Sequence, residues 1–156
     1  MKRKIITLFS MTAMVMAFTI PISAATQTDT TYEKEFYPDG SYAIITTTIE
    51  TSSIIPLASE KTKSASRTYT YYAANSSKEW DFTLTGTFTC NGTTAKATKA
   101  DTSYNLHVSG WKCIYKHGSV SGAVATGQGT FQYKSDITKN VSLSLKCSPT
   151  GVISSL

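Results

Sequence analysis

Cys90, Cys113 and Cys147 are the only cysteines in the 156-residue chain, and three thiols can close at most one disulfide, with one left over. Three pairings are possible. Cys90 and Cys147 both fall on the apolar parity of their strands, which ranks Cys90–Cys147 first and Cys113–Cys147 second. Either closure would contribute about 3 to 4 kcal/mol through the loss of chain entropy. His107, Cys113 and His117 form the one cluster with metal-ligand chemistry. Zinc sites favour tighter ligand pairs on turns, so the expectation is a strand histidine at 107, a turn histidine at 117 beside Gly118, and no metal or other cofactor.

For hydrolysis the inventory is thin. Glu79 and Asp81 share one strand parity and could flank a glycosidic bond. That parity is also the polar one, beside Thr83, where charge meets solvent. Gly118-Ser-Val-Ser-Gly122 places valine where a nucleophile elbow needs serine. No phosphate loop, dinucleotide fingerprint or heptad repeat is present, so a non-enzymatic protein is expected. Tyr69, Tyr71, Tyr72, Tyr104 and Tyr115 are candidate ligand contacts. An exposed tyrosine can lay its ring on a sugar and hydrogen-bond through its tip. Tyrosine is equally an ordinary strand former, so packing is the alternative at each position.

The elements that must carry these residues read as strands. From Trp80 to Cys90, Trp80, Phe82, Leu84, Gly86, Phe88 and Cys90 alternate with Asp81 and four threonines. Period two over eleven residues marks a strand with a dry face and a wet one. Asn91-Gly92 turns the chain toward Thr93–Ala100. Ile137, Val141, Leu143, Leu145 and Cys147 repeat the alternation. Further strands are expected at Tyr69–Ala73, Tyr104–Val108, Trp111–Lys116 and Val120–Tyr133. The last contains Gly122, Gly127 and Gly129, which signal a bulge, a bend or two strands in place of one. Upstream, Tyr37-Pro-Asp-Gly-Ser-Tyr42 predicts a hairpin turn between two extended runs, and residues 51–67 read as a linker.

These patterns predict an all-β protein: an antiparallel β-sandwich, immunoglobulin-like in general architecture, preceded by an N-terminal hairpin arm. The expected division is 1–24 signal peptide, 25–60 arm with linker, and 61–156 sandwich domain. The order Cys90, Trp111, Cys147 matches a buried tryptophan packed on an inter-sheet disulfide. Leu145 stands where a tyrosine corner would need tyrosine, and few residues follow Cys147, so the topology stays open.

Lys2, Arg3 and Lys4, the uncharged run Ile5–Ile20 and the small residues through Ala25 form a secretion signal. The expected product is secreted and extracellular. The apolar run falls short of the roughly 20 residues a spanning helix needs, and no lipidation cysteine or sorting tail is seen, so no stable membrane anchor is expected. Three of the 15 cations lie in the signal, leaving 12 against 10 acidic residues. So slight an excess excludes nucleic acid as an expected partner.

The run from Tyr71 through Trp80 to Gly92 resembles a family of small secreted β-rich proteins from Gram-positive, clostridia-like bacteria. Ser109-Gly-Trp-Lys112, Gly118–Gly122 and Leu145-Lys-Cys-Ser-Pro-Thr-Gly151 are similar to its pattern as well. The family is uncharacterised: the resemblance implies export and a β-fold, and brings no active site. Its pattern has a cysteine near Thr98 that is missing here, so no family disulfide pairing carries over. The expected function is surface or ligand binding to an extracellular glycan or protein. The alternatives are a carbohydrate-binding module, a bacteriocin-like factor released from the arm, and a small secreted hydrolase.

Overall fold

A computed structural model describes residues 26–52 and 61–156; the signal at 1–24 and the segment 53–60 lie outside the described residues. The described chain forms strands and no helix: β1 (Thr26–Phe36), β2 (Tyr42–Ser52), β3 (Lys61–Tyr72), β4 (Lys78–Cys90), β5 (Ala95–Leu106), β6 (Trp111–Ser121), β7 (Val124–Tyr133), β8 (Ile137–Cys147) and β9 (Ile153–Ser155). They build two antiparallel sheets, ordered β1-β2-β3-β4-β5 and β6-β7-β8-β9. The all-β sandwich expected from the alternation is the fold. In each sheet spatial order follows chain order, giving two consecutive meanders. An immunoglobulin sandwich distributes its strands between the sheets, so the likeness extends to two packed antiparallel layers and not to strand order.

The alternation in β4 is realised as read. Trp80, Phe82, Leu84, Phe88 and Cys90 are buried between the sheets, as are Val141, Leu143, Leu145 and Cys147 of β8. Phe131 of β7 stacks on Trp80 with ring centroids 3.9 Å apart, joining the layers through an aromatic pair worth about 1 kcal/mol beyond its area. The glycines of β7 mark close approach. A Cβ at Gly127 would sit 3.2 Å from Leu84, and one at Gly129 would sit 3.0 Å from Phe82. The predicted Val120–Tyr133 run is in fact two strands, β6 continuing to Ser121 and turning at Gly122. Gly122 has φ +55°, as the first central residue of a tight hairpin requires. His117 therefore lies within β6 and not in a turn.

The Pro38-Asp39-Gly40 turn forms, with Asp39 Oδ1 accepting from the Ser41 backbone N–H at 3.0 Å. Its two strands do not stand apart as an arm. β2 pairs with β3 from Tyr42 opposite Tyr72 to Glu50 opposite Ser64, so the division at residue 60 falls between two hydrogen-bonded strands. Lys61–Arg67, read as linker, begin β3. Arg67, buried, donates to Glu33 of β1 at 3.1 Å and to the carbonyls of Leu156 at 3.0 Å and Ser144 at 3.4 Å. One guanidinium thus ties the first strand to the second sheet.

The expected packing of Trp111 on a cysteine pair is overturned. Trp111 meets Trp80, Tyr71 and Tyr133. Cys90 and Cys147 lie at the other end of the sandwich, because Trp80 lies near the start of β4 and Cys90 ends it, about 33 Å apart at the strand rise.

Candidate functional site

The three cysteines are free thiols. Cys90 and Cys147 are buried neighbours from opposite sheets; burial, together with the adjacent Cys90 thiol, pushes Cys147 up to about 11. Cys113 is elsewhere, on β6, where its Sγ donates to the Tyr115 carbonyl at 3.2 Å. Burial raises its pKa as well, against the opposing pull of that backbone contact and Lys116. Both thiols are therefore protonated at neutral pH, the reverse of an activated nucleophile. Among the described residues no three metal-ligating side chains gather: His107 follows β5 of the first sheet, whereas Cys113 and His117 belong to β6 of the second.

The five candidate tyrosines separate into distinct environments. Tyr69 and Tyr71 are core residues stacked on Trp80. Burial, then the hydroxyl hydrogen bond with Tyr37, raises the Tyr69 phenol far above its usual range. Tyr72 stacks on Tyr42 at 4.9 Å, and Lys34 Nζ lies 4.0 Å over the Tyr42 ring. Tyr104 is partly exposed, packs edge-on against Phe131 and carries Lys116 over its ring. Tyr115 is half-exposed, at 49%, on the outer face of the second sheet.

Tyr115 stands in a row set by register: it pairs with Thr130 of β7, which pairs with Asn140 of β8. A bulge between Cys113 and Tyr115 resets the face of β6 so that Tyr115 points outward. The next outward row holds His117, Gln128 and Ser142. These rows line a cleft of about 320 Å³ formed by Tyr115, Gln128, Gly129, Thr130, Asn140, Val141 and Ser142. Thr130 Oγ1 donates to Asn140 Oδ1 at 3.0 Å, fixing that amide with its N–H₂ turned away. The cleft offers one aromatic ring beside uncharged amides and hydroxyls.

A second opening lies at the Trp111 end. Tyr71, Ala73, Glu79, Val108, Trp111, Tyr133 and Ile137 enclose about 240 Å³. Glu79 Oε2 accepts from the Trp111 indole N–H at 2.8 Å. On the other side of β4, Asp81 accepts from His107 Nε2 at 2.8 Å, Lys78 Nζ at 2.9 Å and Asn105 Nδ2 at 2.9 Å. Both carboxylates are buried, so the solvated face expected for them is overturned. A register shift between Tyr71 and Tyr72 inserts Glu79 as an extra residue and separates the pair onto different faces. Pattern reading missed both pairings. Asp81 with His107 needs the β4–β5 register, and Glu79 with Trp111 joins two sheets. No family model, curated protein or solved structure matches the chain.

Proposed function

We propose that the chain is an exported, non-enzymatic carbohydrate-binding protein whose ligand lies on the outer face of β6, β7 and β8. The Tyr115 cleft carries this reading. A half-exposed ring supplies apolar area for the C–H face of a sugar and a hydroxyl at its rim. Gln128, Thr130, Asn140 and Ser142 supply donors and acceptors for sugar hydroxyls without a net charge. Its volume lies at the small end of ligand sites, the size of a short oligosaccharide segment. The test is retention on insoluble polysaccharides and a glycan array. Tyr115→Ala should lower affinity about tenfold or more, an effect of roughly 1.4 kcal/mol, without moving Tm. Absence of any glycan retention by the unaltered protein would reject the reading.

Export rests on the signal at 1–24 and on the resemblance to small secreted proteins. Mass spectrometry of a culture supernatant should find a mature N-terminus at Ala25 or Thr26. In an oxidising exterior the adjacent Cys90 and Cys147 are the pair to close, leaving Cys113 free, and peptide mapping without reductant checks this directly. Release of the 25–60 segment as an active peptide would strip two paired strands from a five-stranded sheet and bare the edge of β3, which weighs against the bacteriocin-like alternative. The raised thiol pKa values weigh against a thiol-dependent hydrolase.

A further inference from the structure

The chemistry of the groove at the Trp111 end differs from that of the Tyr115 cleft. Glu79 is 9% exposed, and among the described residues its one side-chain donor is the Trp111 indole. Among the described residues no lysine, arginine or histidine forms an ion pair with it; Lys78, its neighbour in sequence, reaches Asp81 instead. A buried carboxylate without a counter-charge is costly. This one borders an opening walled by the rings of Tyr71, Trp111 and Tyr133 and by Val108 and Ile137.

Negative charge at the base and aromatic walls at the sides form a complementary enclosure for a cation of low hydration, attracted by Coulomb and cation–π terms together. A metal ion is a poor fit, because among the described lining residues Glu79 is the one carboxylate and no histidine or cysteine joins it. An ammonium carrying methyl groups fits better: it presents spread positive charge and apolar surface to the rings. Two of the wall rings already meet cations. Lys139 Nζ lies 5.2 Å from the Tyr71 centroid and 3.5 Å from Asp39, and Lys134 Nζ lies 5.4 Å from the Tyr133 centroid. Lys139 is itself paired with Asp39, and among the described lining residues Glu79 is the one carboxylate.

We infer that the groove bounded by Glu79, Tyr71, Trp111 and Tyr133 is a binding site for a methylated organic ammonium group, separate from the Tyr115 cleft. The probe is choline, with 3,3-dimethylbutanol as its neutral isostere, titrated into ¹⁵N-labelled protein while the Trp111 indole N–H resonance is followed. Choline should shift that resonance saturably, and the isostere should bind about tenfold more weakly or not at all. Glu79→Gln keeps an acceptor for the indole and should weaken choline about tenfold, while Tyr115→Ala should leave the choline titration unchanged. Should Glu79→Gln fail to fold, Tyr133→Leu removes one wall and should weaken choline as well. No saturable shift, equal binding of the isostere, or equal binding by both groove variants would overturn the assignment. Because Tyr115 is outside the groove, loss of glycan binding in its variant and loss of choline binding in the groove variants report on different sites.

Discussion

The two faces of β4 treat neighbouring carboxylates in opposite ways. Asp81 lies on the outer side and is met by a histidine, a lysine and an amide. Glu79 is turned toward the Trp111 end and met by one indole beside an open groove. The contrast teaches that burial alone does not distinguish a structural carboxylate from an available one; the number of donors around it does. A carboxylate enclosed by three donors holds strands together, and one with a single neutral donor retains acceptor capacity for a ligand.

The sharpest way to break the contrast is Asp81→Ala, which leaves His107, Lys78 and Asn105 facing an empty site. A loss of about 3 kcal/mol is expected, read from urea midpoints. Trp111→Phe comes next: removing the indole N–H strands the Glu79 acceptor and should cost about 2 kcal/mol, visible as a lower Tm.

Acid should sharpen the same comparison. Burial by itself would raise the pKa of Asp81, but hydrogen bonds from His107, Lys78 and Asn105 and the Lys78 charge outweigh it and hold the carboxyl below its ordinary value. The stability this confers is complete above the unfolded-state value of about 3.9 and is lost as pH falls below that toward the native value. The stability difference between wild type and Asp81→Asn should therefore shrink on acidification below about pH 4. At neutral pH Glu79→Gln should cost under about 1 kcal/mol, because the amide oxygen still accepts from the indole. Lys78→Met should cost least, about 0.5 kcal/mol, since its side chain is 42% exposed.

Register explains why this contrast was hidden from pattern reading. A two-residue Asn91-Gly92 turn would place Cys90 opposite Thr93 and Asp81 opposite Thr102. The actual loop runs from Asn91 to Thr94, with Cys90 opposite Ala95, and a bulge at Thr87/Phe88 shifts the pairing again. Asp81 consequently faces Asn105, with His107 two residues beyond. Each one-residue slip moves a side chain to the other face, so neither partner of Asp81 can be named before loop length and bulge are known. The core was legible for the opposite reason. Burial of Phe82, Leu84, Phe88, Leu143 and Leu145 follows from alternation within one strand and tolerates any register between strands.

What the amino-acid sequence determined by itself was the strand character of the chain, the dry face of β4 and β8, the turn at Asp39-Gly40 and the reversal of the chain after Cys90, all consequences of local side-chain shape and period. Only the tertiary structure decided that Tyr69 and Tyr71 are core while Tyr115 lines a cleft, that Trp111 meets Glu79 and not the cysteines, and that Cys90 faces Cys147. Those outcomes depend on which strand end meets which across two sheets. That meeting is set by bulges, loop lengths and layer packing, which act between segments far apart in the chain.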